Sequence, residues 1–303
     1  KSSGYSSEHT LQCRDFATAE DAMHHYLDVV GAKKPTAVCL AAAGPIVDER
    51  VRFTNNPWII EASSLRDTCD TAHVRLLNVF EAIAYSIPFL GAYDAVPVGL
   101  PDPLPLDNGD FTIGVIGPGT GLGAVGLRRF GDDYIPIVGE ASHGGFAPES
   151  QVQVDVLVHL RERFERVSSE RLVSGPGIEN LYWALCRVHG EKRAQINAAD
   201  IFAAGIGDGD PRASEAVELF FEVLGQFAGD VALTIGAFDG MYIAGGIAKR
   251  YPDKLANSRF RNGFERKGRH RSLMERIPTQ LITHGQPGLL GAAYCARLLV
   301  AKR

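Results

Sequence analysis

The chain has no CxxC pair. Its five cysteines, Cys13, Cys39, Cys69, Cys186 and Cys295, are widely scattered. An odd, dispersed set argues against a disulfide framework and fits reduced, mostly buried thiols in a cytosolic protein. No apolar run reaches the roughly 18 residues that a spanning helix needs. No basic block stands out either, and the net charge is −5 with a pI near 6.0. That balance argues against a nucleic-acid binder and against a membrane-surface protein. Gly-Lys-Ser/Thr is missing after the glycine turns, so a P-loop is excluded. Short-period repeats and low-complexity tracts are absent too. No signal peptide is visible, and because Lys1 rather than Met opens the sequence, a fragment is one expectation. What remains is an ordinary globular chain of 303 residues, 45% hydrophobic and 22% charged, long enough for two domains.

The most informative stretch is Phe111 to Leu127, FTIGVIGPGTGLGAVGL. Phe111–Ile116 is a β-branched apolar run and reads as a buried strand. It breaks into Gly117-Pro118-Gly119-Thr120-Gly121-Leu122-Gly123, and alternation resumes at Ala124–Leu127. Alternate glycines let a backbone turn tightly and approach a ligand closely. The exposed N–H groups of such a turn form an anion site, and the Thr120 hydroxyl adds a donor. A Rossmann fingerprint would need a helix after the turn, whereas a strand follows here. A glycine-rich hairpin with no ligand is the alternative.

Around this hairpin, apolar runs and turn signals alternate. Thr10–Asp15 is read as an edge strand. Thr18 and Asp21 form a capping box ahead of a helix over Ala22–Val30. Strands are expected at Thr36–Ala43, Val51–Phe53, Val74–Leu77, Tyr134–Val138 and from Gly240 into the Gly245-Gly246 turn. Helices are expected at Ser63–Cys69 with a serine cap, Val79–Ile87 stopped by Pro88, Gln151–Arg163, Gly177–Val188, Ala198–Gly205, Pro211–Thr234, Pro252–Gly263 and Gly288–Leu299. Thr54–Trp58 is a polar loop, and proline-rich Val96–Asp110 reads as a loop crossing between domains. The order gives an α/β class. It predicts a smaller domain over 1–109 and a larger one over 110–303, with the last helix packing back on the smaller. Two distant glycine turns suggest a nucleotide held between separate segments.

These segments together resemble a bacterial-type glucokinase of the hexokinase/actin-like ATPase superfamily. The matching stretches are GPGTGLG (117–123), GEASH (139–143), SSERLVSGPGIENLY (168–182), YIAGGIAKR (242–250) and PGLLGAAY (287–294), with TNNPW (54–58) and LNVFEAIAYSIP (77–88) matching more loosely. The resemblance implies an actin-like (ribonuclease H-like) fold of two α/β domains around a cleft. It implies transfer of the γ-phosphoryl of ATP to the 6-hydroxyl of glucose, with Mg²⁺; no residue of this chain is assigned as a metal ligand. By the same resemblance the sugar ligands are Asn78, Glu140, His143 and Glu170. The nucleotide ligands are Gly117, Gly119, Thr120, Gly121, Gly123, Gly245 and Gly246. Carboxylates accept from sugar hydroxyls, while Asn and His both donate and accept, which suits a polyol. Read without the family, Asn78 is equally a helix cap, His143 a structural histidine and Glu170 a solvated ion-pair partner of Arg171.

The chain departs from the family pattern in two places. The family opens on a strand and an Asp-x-Gly-Gly-Thr phosphate turn, and nothing in Lys1–Tyr5 resembles them. Further, where the family has Asn-Asp-Phe, this chain has Asn78-Val79-Phe80. That aspartate is the general base on the attacking hydroxyl, and valine can neither accept nor orient a proton. The expectation is an ATP-dependent glucokinase impaired in this form, with a hexose-binding pseudokinase as the alternative and a vestigial α/β domain behind it. A cytoplasmic location and a homodimer complete the expectations.

Overall fold

The computed structural model describes residues 5–32, 34–53, 57–103, 105–106, 109–207 and 209–301. Part of the expected loop at Thr54–Trp58, and Asp107 in the expected crossing, lie outside them. The chain forms two compact units. Unit 1 takes the described residues up to Tyr93 and those from His284 onward; unit 2 is Asp94–Thr283.

In unit 1, helix α1 (Ala19–Val29) starts on the expected capping box: Thr18 Oγ1 accepts from the Asp21 N–H, and Asp21 Oδ2 from the Thr18 N–H. The Thr10–Asp15 edge strand does not form. Cys13–Asp15 is a 3-10 turn with no buried residue, so nothing apolar holds it against a sheet. Strand β1 (Val38–Ala42) pairs only with β5 (Val74–Asn78), in parallel, among the described residues. Between them, β2 (Ile46–Val47), β3 (Arg50–Arg52) and β4 (Ile59–Glu61) make a small antiparallel sheet. Helix α2 (Ala62–Cys69) begins earlier than expected: its cap residue is Glu61, and neither serine caps it. Ala62, Leu65, Val51, Ile60, Val74 and Leu76 bury a common core there. Helix α3 (Val79–Ser86) gives way at Pro88 to a 3-10 turn, because proline has no N–H to continue the ladder. The helix Pro287–Ala301 packs on α3 and β1.

Unit 2 carries a sheet of order β6-β11-β10-β7-β8-β9. Strand β6 (Ala95–Pro97) overlaps the stretch read as a loop and pairs with β11 inside unit 2, which begins at Asp94. Strands β7 (Phe111–Pro118), β8 (Leu122–Phe130) and β9 (Asp133–Val138) form an antiparallel meander whose first turn is the glycine stretch. Strands β10 (Gly240–Ile243) and β11 (Thr279–Ile282) run parallel to β7. Helices α4 (Gln151–Leu160), α5 (Gly175–Val188) and α6 (Ala198–Ile206) pack around the 25-residue α7 (Pro211–Ile235). Most of α7 is buried, and Phe220, Phe221 and Leu224 anchor the main core. The single helix expected over Pro252–Gly263 is two, α9 (Pro252–Ala256) and α10 (Phe260–Glu265), preceded by α8 (Gly246–Arg250). The five cysteines are free; Cys69, Cys186 and Cys295 are buried, while Cys13 is exposed. Among the described residues, no helix is long and apolar enough to cross a membrane.

Candidate functional site

Asn78 sits where β5 ends and α3 begins, in extended backbone that suits a helix cap. Its Oδ1 accepts from the Glu81 N–H at 2.7 Å, which leaves the side-chain NH₂ for other partners. The cap reading of Asn78 is therefore realised, and its remaining NH₂ leaves the ligand reading open to test. Val79 is the first residue of α3 and is half-buried. Glu81, the nearest carboxylate in sequence, is 7% exposed and bonds to Arg75 at 2.9 Å. Burial outweighs the pull of Arg75 and of the Asn78 contact and holds its carboxyl above the usual carboxylate value. It turns inward, to a buried ion pair.

In unit 2, three expected sugar ligands come together. Glu140 and His143 flank the 3-10 turn Ala141–His143. His143 Nε2 lies 3.8 Å from Glu140 Oε2, and His143 Nδ1 lies 4.0 Å from Glu170 Oε1. Residues 144–146 and 167–169 are stitched together by Ser169 N–H to Gly144 O and Phe146 N–H to Val167 O. That seam explains how residues so distant in sequence meet. The cluster is open: Glu140 is exposed and Glu170 is only partly covered. It presents two carboxylates and an imidazole to solvent, an acceptor-rich face for a polyol.

The glycine turn abuts this cluster. Gly119 N–H donates to Gly121 O, and Gly175 N–H to Gly119 O, each at 2.7 Å. Leu122 N–H donates to Glu170 Oε2 at 2.9 Å. Among the described residues, the Thr120 and Gly121 N–H groups donate to nothing. The expected anion site thus narrows: the Gly119 amide is spent inside the turn, and Thr120 and Gly121 hold the free donors. A Cβ at Gly121 would stand 2.6 Å from Glu170 Oε2, so a side chain there would push that carboxylate aside. Gly245, with φ +88°, backs the turn so closely that a Cβ would stand 2.4 Å from Pro118 O. Gly246 by contrast faces open space.

Thr120, Gly119 and Gly246 edge a cavity of about 330 Å³. Its apolar wall includes Ile247 and the Phe202 and Tyr251 rings, stacked at 4.7 Å. Glu179 and Arg250 bring charge to it, and Glu179 Oε1 also accepts from the Ala198 N–H. Glu179 and Arg250 lie inside segments that matched the family, but no local signal marked Phe202 or Tyr251. A larger recess of about 680 Å³ opens in unit 1 beside Asp48, Glu49, Arg50 and Arg52. It holds none of the expected ligands, so size does not select the site. No group of three His, Cys, Asp or Glu among the described residues is disposed to hold a metal ion.

Comparison with known proteins identifies the family and the fold. The Glucokinase family model matches residues 1–299. A glucokinase of Nitrobacter hamburgensis is 38% identical over 290 residues, covering 95% of this chain and 89% of its own. One from Xanthomonas campestris pv. campestris strain 8004 is 39% identical over 290 residues, covering 93% and 85%. The crystal structure of a glucokinase from an Antarctic psychrotroph superposes with a TM-score of 0.89 at 33% identity, covering 96% of this chain and 89% of the other. The fold is that of the actin-like ATPases.

Proposed function

Because the chain belongs to the glucokinase family, we propose that it transfers the γ-phosphoryl group of ATP to the 6-hydroxyl of glucose, and does so slowly. The observation that carries this is the adjacency, within unit 2, of an acceptor-rich polar cluster and a glycine turn with two free amides. Glu140, His143 and Glu170 hold sugar hydroxyls. Thr120 and Gly121 hold phosphate oxygens, and the cavity lined by Phe202 and Tyr251 takes the base. Asn78 joins the sugar ligands on the resemblance alone. In the reaction, the sugar O6 bonds to the γ-phosphorus, the bond to the bridging β–γ oxygen breaks, and the O6 proton is released. Such transfer depends mainly on positioning and charge stabilisation, so it proceeds without a base at a reduced rate. Mg²⁺ bound to the nucleotide would neutralise phosphate charge during the transfer.

Slowness follows from Val79. Valine accepts no proton, and Glu81 is held by Arg75. The same observation favours a second reading, a pseudokinase that binds hexose without turning it over. An ATP-to-ADP coupled assay with and without glucose separates the two. Glucose-dependent ADP release with phosphate on O6 is expected. Glucose that raises the melting temperature with no ADP release selects the pseudokinase. No response of either kind to millimolar glucose overturns both. Glu140→Ala leaves sugar hydroxyls unpaired and is expected to weaken glucose binding by about 1–3 kcal/mol.

A further inference from the structure

We propose that Glu170 is also a positioning residue for the glycine turn, and that it couples sugar and nucleotide occupancy through one carboxylate. This rests on the reading that the turn binds phosphate and the cluster binds sugar. Oε2 of Glu170 accepts the Leu122 N–H at 2.9 Å, on the far strand of the hairpin. Oε1 faces the other way, 4.0 Å from His143 Nδ1. The two oxygens belong to one rigid plane. A hydroxyl captured at Oε1 therefore fixes the orientation of Oε2, and with it the Leu122 amide.

The surroundings are built to hold this carboxylate. Its backbone carbonyl accepts from Ser174 Oγ at 2.8 Å, and Ser174 Oγ in turn accepts from the Gly177 N–H. Gly175 N–H reaches across to Gly119 O, so the segment carrying Glu170 is bonded to the turn by backbone as well as by side chain. Gly121 leaves the space that Oε2 fills. A charge-assisted bond to a carboxylate is among the stronger hydrogen bonds a backbone amide can make. It spends the Leu122 donor within the protein and leaves Thr120 and Gly121 as the donors for phosphate. A sugar hydroxyl on Oε1 stiffens this arrangement and so tightens nucleotide binding. By linkage, nucleotide tightens sugar to the same degree, expected at about fivefold or more.

The test compares the parent with Glu170→Gln and Glu170→Ala. Glutamine keeps a carbonyl for the Leu122 N–H but loses the second acceptor oxygen; alanine loses both. Hydrogen exchange at the Leu122 amide is measured without ligand, and ADP affinity by calorimetry with and without glucose. Without glucose, Glu170→Ala is expected to speed Leu122 exchange and to weaken ADP about tenfold, while Glu170→Gln stays within about twofold of the parent. Both variants are expected to lose the glucose-dependent gain in ADP affinity. Unchanged Leu122 exchange in Glu170→Ala overturns the positioning role, even if the parent binds no ADP. An absence of ADP binding by the parent strikes instead at the proposed function and at the coupling built on it. If Glu170→Ala fails to fold, Glu170→Gln decides alone. Loss of the glucose-dependent gain supports the coupling, and its retention overturns it.

Discussion

Arg75 Nη2 stands 2.9 Å from Glu81 Oε1, joining β5 to the first turn of α3 just behind Asn78 and Val79. The Glu81 side chain is almost wholly buried, and the Arg75 guanidinium also lies over the buried Tyr85 ring. Removing one partner leaves a buried charge without its mate. A fully buried pair broken this way costs ~3–5 kcal/mol. Here the Arg75 side chain is 36% exposed, so water partly compensates. Arg75→Met is expected to lower unfolding stability by roughly 2 kcal/mol in urea titration, below that range. Glu81→Gln keeps the backbone N–H that Asn78 caps. It is expected to change glucose turnover less than stability, because Glu81 supplies no base.

Asp210 makes a second, pH-dependent prediction. It caps α7, the helix on which the main core is built. Its carboxylate accepts from the Arg212 N–H, from Arg193 and from the Tyr182 hydroxyl. Burial works against the charged form. The bonds from Arg212 N–H, Arg193 and Tyr182 outweigh it and hold the carboxyl below its usual value. A carboxyl depressed on folding stabilises above its unfolded pKa, and that contribution is lost as pH falls through the folded value. Asp210→Asn should therefore cost stability at pH 7 and less as pH drops below about 4. Asp210→Ala also loses the cap, a further ~1 kcal/mol. Urea midpoints at pH 7 and pH 3 check both, and a pH-independent Asp210→Asn difference would refute the linkage.

Gly291 tests the packing of unit 1. A Cβ there would stand 1.7 Å from Ala82 O, so the helix Pro287–Ala301 meets α3 backbone to side-chain-free backbone. No rotamer relieves a clash at Cβ. Gly291→Ala is expected to destabilise by about 3 kcal/mol or more, since overpacking costs ~1–3 kcal/mol even where side chains can shift. Gly288, with open space around it, is the control. Melting of both variants reads the difference, and equal midpoints would mean that the two helices separate easily.

Local signals carried much of the fold. The β7–β8 hairpin, the Thr18–Asp21 capping box and the proline-free α7 each announce themselves within a few residues. Strand β11 does not. Its sequence, Thr279-Gln280-Leu281-Ile282, mixes polar and apolar residues without alternation, and all four are buried because β10 and β6 flank it. Strand β6 hid likewise among prolines, since only its partner Thr279–Ile282 makes it a strand. The site divides the same way. Glu140, His143 and Glu170, expected together from their motifs, do lie together. That Glu170 bonds Leu122, and that the Thr120 and Gly121 amides donate to nothing among the described residues, are facts of tertiary placement. Phe202 reaches the cavity from α6 and Tyr251 from the link between α8 and α9, which no local pattern foretells.

Val79 carries the sharpest prediction. It opens α3, next to the Asn78 cap, and its half-buried side chain offers no acceptor. Aspartate at this position would sit in the first turn of a helix, where a negative charge is favoured by the unpaired N–H groups. Val79→Asp is therefore expected to fold. General-base catalysis contributes ~10²–10⁴-fold, so the substitution should raise kcat by about a hundredfold or more. Sugar contacts are untouched, so KM for glucose should move only a few-fold. The ratio of Val79→Asp to the parent, on chains of equal length, is the quantity to measure. Val79→Asn is the control: it is close in shape to aspartate but accepts no proton at neutral pH, so it should stay near the parent. A pH–rate profile gives the deciding signature. Only Val79→Asp should acquire an acid limb that reports ionisation of the new carboxylate. If Val79→Asp and Val79→Asn turn over alike, the proton leaves by another route, and valine at this position does not limit turnover.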